Sequence, residues 1–470
     1  MTTCLMWQPH IGSFYHSAMK TSSISYHDVV GNSYRFDPSY HLSEATKVRL
    51  VLGSLPYGTT DVASSSDNVF IGNIFSRVFV NDPEYGLPYL AASDTVLANL
   101  DTGYYLSKKQ ASKLSYLMLH KDWILVTCSG TLGNVTYTNE VFENRIATHD
   151  LIRIVPNDKE ILRGCLFAFL SGKYGYYQLT QSQFGGVVKH INAEHAKSII
   201  VPKFPLAFQN SIDSLIKDAA RLREESITAL KGAHQLIESH FPAESKDSIT
   251  GSVSFSTVFS SQIHRLEASY HLSTGRQYDD YIKSHFSWRS LGDASQAIWR
   301  PDIVKRMYVK DGISFLGGTD LFLSIPDSKK KLSRKAPNVD DYLIQEGWIL
   351  LPRSGTIGDV VYTNEQHAQK LVSEDVIRII PNDVFKGGYV FAFLSSRIGK
   401  ALIQRPIFGS VIQHVEPPLL SVIPIPVLED EEMEQIASLA ERYRICWGKA
   451  AKKELEAIAL VEKEIGQRSS

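Results

Sequence analysis

Residues 121–140 read KDWILVTCSGTLGNVTYTNE, and residues 346–365 read EGWILLPRSGTIGDVVYTNE. The correspondence extends outward. ATHDLIRIVPND (147–158) matches VSEDVIRIIPND (372–383), and LFAFLSGKYG (166–175) matches VFAFLSSRIG (390–399). FGGVVKHI (184–191) matches FGSVIQHV (408–415), and RFDPSYHL (35–42) matches RLEASYHL (265–272). The offset stays near 224 to 230 residues, which marks a duplicated domain and not a short-period solenoid. Two copies of one surface suit a bipartite target, such as a duplex read at two half-sites.

Within each copy, β-rich runs alternate with turn residues. Trp123-Ile124-Leu125-Val126 leads through Ser129-Gly130 to Val135-Thr136-Tyr137, and Trp348-Ile349-Leu350-Leu351 leads through Ser354-Gly355 to Val360-Val361-Tyr362. Both predict strand, tight turn, strand. The β-branched runs 151–155 and 376–380 stop at Pro156 and Pro381, because proline cannot donate to a sheet ladder. Segments 163–181 and 387–404 predict helix. Each copy closes on an Ile/Val/Pro strand, at 198–202 and 422–426.

After each copy the period changes. Ile212, Leu215, Ala219, Leu222, Leu230 and Ile237 recur at three- and four-residue steps, as do Ile436, Leu439, Tyr443, Trp447, Leu455, Ile458 and Ile465. These are two long amphipathic helices of roughly 50 Å each at 1.5 Å per residue. Such a helix cannot bury its apolar stripe alone, so the two are expected to pack on each other. The expected order is a first domain (1–205), a helix (206–241), a linker (242–262), a second domain (263–428) and a second helix (429–466).

This plan resembles the DNA-specificity subunit of type I restriction–modification systems. The resemblance rests on the duplicated Gly-Trp-Ile-Leu…Ser-Gly-Thr-Ile-Gly pattern, Gly347 to Gly358, with its looser copy from Asp122 to Gly133. It rests also on the Phe-Gly…His…Ile-Pro-Ile-Pro pattern before each long helix, and on Trp288-Arg289-Ser290-Leu291-Gly292-Asp293 as a domain opening. Near the start of the first copy only Val48-Arg49-Leu50 stands for that opening. The resemblance implies an α+β chain: two mixed α/β target-recognition domains separated by two long antiparallel helices as a coiled-coil spacer. It implies a noncatalytic DNA-binding subunit that reads a split double-stranded target. The expected partners are two DNA methyltransferase subunits and, with them, a motor nuclease. The alternative is an adaptor of a related anti-phage complex that recognises protein or RNA.

The sequence holds little chemistry of its own. A base methyltransferase needs an Asn/Asp-Pro-Pro-aromatic motif, and Pro417-Pro418 lies between Glu416 and Leu419. No Walker loop occurs. Glu244-Ser245-Lys246 has nuclease-like spacing but no upstream acid on an adjacent strand, so chance explains it. Cys4, Cys128, Cys165 and Cys446 are far apart, which supports neither a zinc site nor a disulfide framework. Neither cofactor nor metal is expected. No signal peptide or run of about 18 apolar residues is evident, which predicts a cytoplasmic protein. The net charge of −1 disfavours a wholly basic surface and leaves local patches open.

The DNA-contact candidates are therefore local. Lys108, Lys109 and Lys113 in the first copy correspond to Lys329, Lys330, Lys331, Arg334 and Lys335 in the second. Loop cations neutralise phosphates, although a solvated loop has the same composition. Gln181, Gln183 and Lys189 flank one Phe-Gly turn, and Gln404, Arg405 and Gln413 the other, as candidate base readers. Arg353 stands beside the second Ser-Gly-Thr-x-Gly turn, where the first copy has Cys128. Those turns either cradle phosphate or are hairpins whose glycines need positive φ, the simpler reading. The repeat-equivalent His190 and His414 are expected to hold a turn.

Overall fold

The structure, a computed structural model, describes residue 26 and residues 43–181, 190–243, 252–260, 265–303, 305–409 and 412–468. The 35–42 match, Glu244-Ser245-Lys246, Cys4 and parts of the expected linker fall outside them.

Each copy is built on a four-stranded antiparallel sheet. The first has β1 (Ser66–Ile71), β2 (Ile124–Thr127), β3 (Val135–Tyr137) and β4 (Leu151–Pro156), in the order β1-β4-β2-β3. The second has β5 (Ser295–Trp299), β6 (Ile349–Pro352), β7 (Val361–Tyr362) and β8 (Val376–Pro381), in the order β5-β8-β6-β7. Even the registers agree: Ile124 faces Ile154, and Ile349 faces Ile379. The central strands β2 and β6 are buried on both faces, so they read as unbroken apolar runs without alternation. One face packs on α1 (Arg163–Ser171) or its counterpart α3 (Gly387–Ser395). A smaller mixed sheet continues each domain. It contains Phe79–Val80, Gly86–Leu90, Tyr105–Ser107 and Ile146–Ala147 in the first copy. In the second it contains Tyr308–Leu316, Lys331–Leu332 and Leu371–Val372.

A buried arginine joins the two sheets in each domain. Arg153 donates to the carbonyls of Ala147, Thr148 and Leu151; Arg378 donates to those of Val372, Ser373 and Val376. Burial lowers both guanidinium pKa values to about 10. Each guanidinium, through its terminal nitrogens, thus satisfies three carbonyls at the bend between the sheets.

The structure revises two sequence expectations. Segments 163–181 and 387–404 are each two helices, not one, broken at Gly172 and Ser396, whose ψ values are extended. The counterpart of the Trp288–Ser290 opening is Thr59–Asp61, because both strands pair with the closing strands Ile200–Pro202 and Pro424–Pro426. Val48-Arg49-Leu50 instead lies in the helix Glu44–Gly53.

The helices α2 (Leu206–Ser239) and α4 (Asp430–Arg468) pack antiparallel. Asp218 meets Lys453, Ser226 meets Tyr443, and His240 meets Glu432, so one helix runs up as the other runs down. Each domain grips both helices. Gly164 of α1 lies against Asp213 of α2, and the Lys173 N–H donates to Glu462 of α4 at 2.6 Å. Gly388 of α3 lies against Ala437 of α4, and the Arg397 N–H donates to Glu238 of α2 at 3.1 Å. Equivalent residues make equivalent contacts on exchanged helices, which is a pseudo-twofold arrangement with one domain at each end. The domains also touch near its centre. Ala98 N–H donates to Phe322 O at 2.8 Å, and Ser324 N–H to Val96 O at 2.7 Å. Among the described residues no helix is long and apolar enough to cross a membrane.

A Cβ added at Gly388 would lie 2.6 Å from the Ala437 carbonyl oxygen, whereas one at Gly53 meets nothing within 4 Å. Gly388→Ala is expected to destabilise the chain by about 1–3 kcal/mol and Gly53→Ala to leave it unchanged, as read by urea unfolding.

His367 bonds the Leu321 carbonyl at 3.0 Å and meets the Trp447 ring edge-on; His234 bonds Ser395 Oγ at 2.8 Å. Burial lowers both pKa values from 6.5 to about 4. The unfolded chain takes up these protons first as pH falls. Their contribution is therefore full above pH 6.5 and drains away down to about pH 4. Unfolding midpoints should fall across that window, and less steeply in His367→Gln.

Candidate nucleic-acid interface

The basic runs are the same structural feature in both domains. Leu106-Ser107-Lys108-Lys109 and Leu332-Ser333-Arg334-Lys335 each hold a buried leucine, a serine and two exposed cations. Phe79 pairs with Leu106, and Tyr308 with Leu332. The Ser107 N–H donates to Val78 O at 2.9 Å, and the Ser333 N–H to Met307 O at 2.9 Å. Ser107 Oγ accepts from the Gln110 N–H, and Ser333 Oγ from the Lys335 N–H at 3.1 Å, which turns the chain just where the cations stand. Lys113, Lys329, Lys330 and Lys331 are exposed nearby. Among the described residues none of these eight cations is ion-paired, so each keeps its charge available. Lys329 reaches the other domain, its Nζ 5.6 Å from the Tyr176 ring centre.

Several candidates around the Phe-Gly turns are engaged inside the fold instead. Arg353 pairs with Glu416 at 2.7 Å and Asp375 at 3.3 Å. Arg405 pairs with Asp279 at 3.1 Å and lies 4.3 Å from the Tyr270 ring centre. Gln181 is buried and bonds Thr46, and Gln404 donates to the Ile357 carbonyl at 3.2 Å. Gln413 is exposed; Gln183 and Lys189 lie outside the described residues. The Ser-Gly-Thr-x-Gly turns are left-handed at every glycine, with φ of 68° and 79° at Gly130 and Gly133 and 79° and 114° at Gly355 and Gly358. That is the hairpin requirement. His190 and His414 bridge Ser129 and Ser354 through the backbone, closing each turn. Among the described residues no group of three or more His, Cys, Asp or Glu could hold a metal.

One asymmetry bears on electrostatics. In the first copy Arg163 fills the space between domain and helix, paired with Asp122 at 3.0 Å and with Asp158. In the second, Gly387 takes its place and leaves an open groove of about 800 Å³ lined by Glu346, Asp383, Glu434 and Glu441. Glu346 and Glu441 pair with Arg444 and Glu434 pairs with Lys386, so the groove's charges are largely matched within the fold and it does not continue the basic surface.

Sequence reading missed a further correspondence. SDNVFIGNIFSRVFV (66–80) aligns without gaps on SQAIWRPDIVKRMYV (295–309), the stretch beside the basic runs. Arg77 lies 5.8 Å from the Tyr89 ring centre, and Arg306 lies 5.2 Å from that of Phe315. Phe79 meets Tyr89 edge-on at 5.3 Å, as Tyr308 meets Phe315 at 6.4 Å.

The family model for the type I restriction modification DNA specificity domain matches residues 69–231 and 307–456, two copies covering most of the chain. The chain belongs to the type I restriction–modification specificity family. Among solved structures, the type I S subunit from M. genitalium is 12% identical over 88% of this chain and 95% of its own, with a TM-score of 0.33. The HsdS subunit from Thermoanaerobacter tengcongensis is 14% identical over 89% of this chain and 95% of its own, with a TM-score of 0.28. A chain from work on "complex assembly and conformational transition of the type I R-M system" is 14% identical over 88% of this chain and 97% of its own, with a TM-score of 0.29. Scores this low add nothing to the family match. No curated protein matches the chain. The family carries DNA sequence specificity, and the two matched segments each contain one of the basic runs.

If these cations neutralise phosphates, alanine at Lys108, Lys109, Arg334 and Lys335 should flatten the dependence of log affinity on log salt by roughly 0.9 for each phosphate no longer neutralised. Fluorescence-anisotropy titrations of a labelled duplex over a salt series measure this. Lys452→Ala, on the second long helix, is the control.

Proposed function

We propose that the chain is the recognition subunit of a modification complex, reading one half of a divided duplex target with each domain. The observation that carries this is the pseudo-twofold arrangement: two like domains at opposite ends of an antiparallel helix pair, each bearing the same unpaired cations. A two-part site with its halves about one turn apart, ~35 Å, mirrors such symmetry. Helices of 34 and 39 residues, roughly 50–60 Å at 1.5 Å per residue, are long enough to set that separation. Phosphate contacts position each domain, and base-edge contacts add specificity. The chain supplies recognition in the cytoplasm and leaves methyl transfer to two methyltransferase subunits, with a motor nuclease joining for restriction. Exposed Leu206, Ile445 and Leu455 on the long helices are apolar surface suited to those partners.

Selection from a random duplex pool by the assembled complex should enrich two short blocks separated by a fixed gap. Inserting four residues, about one turn, into both long helices should change that gap. A single contiguous block, or enrichment of RNA alone, would overturn the proposal. So would methyl transfer by the isolated chain.

A further inference from the structure

Exposed large hydrophobic residues occur at many places on this chain, and singly they need no account. Among the described residues three recur at equivalent positions in both domains. They are Ile74 and Ile303 (86% and 78% exposed), Val78 and Met307 (54% and 45%), and Phe79 and Tyr308 (45% and 50%). Elsewhere the copies have drifted apart: Ile71 corresponds to Arg300, Tyr104 to Lys330 and Leu206 to Asp430.

The aromatic member of each triplet is also held in place. Phe79 and Tyr308 pack edge-on against Tyr89 and Phe315, and those rings lie under Arg77 and Arg306. Arg77 is itself fixed by Thr148, and Arg306 by Glu374. Directly alongside, the carbonyls of Val78 and Met307 anchor the serines that precede Lys108-Lys109 and Arg334-Lys335. Each domain therefore presents a braced apolar edge bordered by unpaired cations. Charge complementarity points to a polyanion as the occupant.

Two half-sites of a divided target differ in base sequence. A surface kept the same in both domains addresses what the half-sites share. Resting on the duplex reading above, we infer that Ile74, Val78 and Phe79, and likewise Ile303, Met307 and Tyr308, press an apolar wedge against the sugars and stacked bases of DNA, independently of sequence. The adjoining basic pair neutralises the flanking phosphates. Apolar wedges of this kind bend the duplex so that more protein surface reaches it.

The test uses the full-length protein in its assembled complex and a 40-base-pair random-sequence duplex. Phe79→Ala/Tyr308→Ala should weaken binding by about thirty-fold or more, the scale of removing two aromatic rings from bases they stack on, while leaving the salt slope unchanged. Bending, read by energy transfer between end labels, should fall with it. Phe79→Tyr/Tyr308→Phe should retain both. Val78→Thr/Met307→Gln, which keeps side-chain size and removes apolar character, should reproduce the loss and covers the case in which the alanine pair folds poorly. Unchanged affinity and bending together with loss of methyltransferase assembly would overturn the wedge and make this edge a protein-docking face. Absence of any duplex binding by the unaltered complex would sink the proposed function as well, so the two failures are distinguishable.

Discussion

The antiparallel contact between the helices Leu206–Ser239 and Asp430–Arg468 is what the rest of the molecule depends on. Its centre is lined by small residues, among them Ala219, Ala229, Ala233, Ala440 and Ala450, which let the backbones approach. Ion pairs cross it at Asp218–Lys453, Glu225–Arg442 and, most buried, Arg223–Glu454: Arg223 donates to both carboxylate oxygens of Glu454, at 3.0 and 2.7 Å. In energy alone a half-buried pair is replaceable by apolar residues. What it contributes here is choice of partner. At the symmetry-related positions stand Trp447 and Leu230, so two copies of the first helix would set Arg223 against leucine. An unpaired buried charge costs about 3–5 kcal/mol, enough to favour pairing of the first helix with the second over pairing of either with a copy of itself.

From that contact the placement of the recognition surface follows in steps. Each domain lays a glycine-bearing helix across the pair, and a glutamate from the far end of one helix meets the N-terminus of the next short helix. A negative group there satisfies free N–H donors and suits the helix dipole. Because the two domains use the same residues on exchanged helices, their orientation is equal and opposite. Within each domain the buried Arg153 or Arg378 ties the large sheet to the small one, and the small sheet carries the cations and the apolar edge. Backbone close approach at the glycines and satisfied carbonyls at the arginines thus hold the exposed side chains in place.

Much of this was legible in sequence because it is periodic or locally determined. Helical spacing of Ile212 through Ile237 gave a helix, and the glycines of the Ser-Gly-Thr-x-Gly turns gave hairpins. The breaks at Gly172 and Ser396 were not legible, since the glutamates that receive the following N–H groups lie far along the chain. The first domain's opening strand was missed because Thr59–Asp61 lacks the tryptophan, leucine and glycine of its counterpart and is defined only by pairing with Ile200–Pro202. Arg353 and Arg405 looked like free cations because Glu416, Asp375 and Asp279 are distant in sequence. The apolar edge was hidden because its aromatic members, Phe79 and Tyr308, open strands in apolar stretches, and only exposure in both copies separates them from ordinary core residues.

The amino-acid sequence by itself determined the duplication, the hairpins and the two long helices, because repetition, periodicity and positive-φ glycines act over short stretches of chain. It also located Lys108-Lys109 and Arg334-Lys335 as local charge. Tertiary structure decided which cations remain free, which apolar residues stay exposed, and that the two domains sit at opposite ends of the helix pair. Those outcomes depend on partners more than a hundred residues apart, such as Asp279 for Arg405 and Glu462 for Lys173, and no local pattern encodes them.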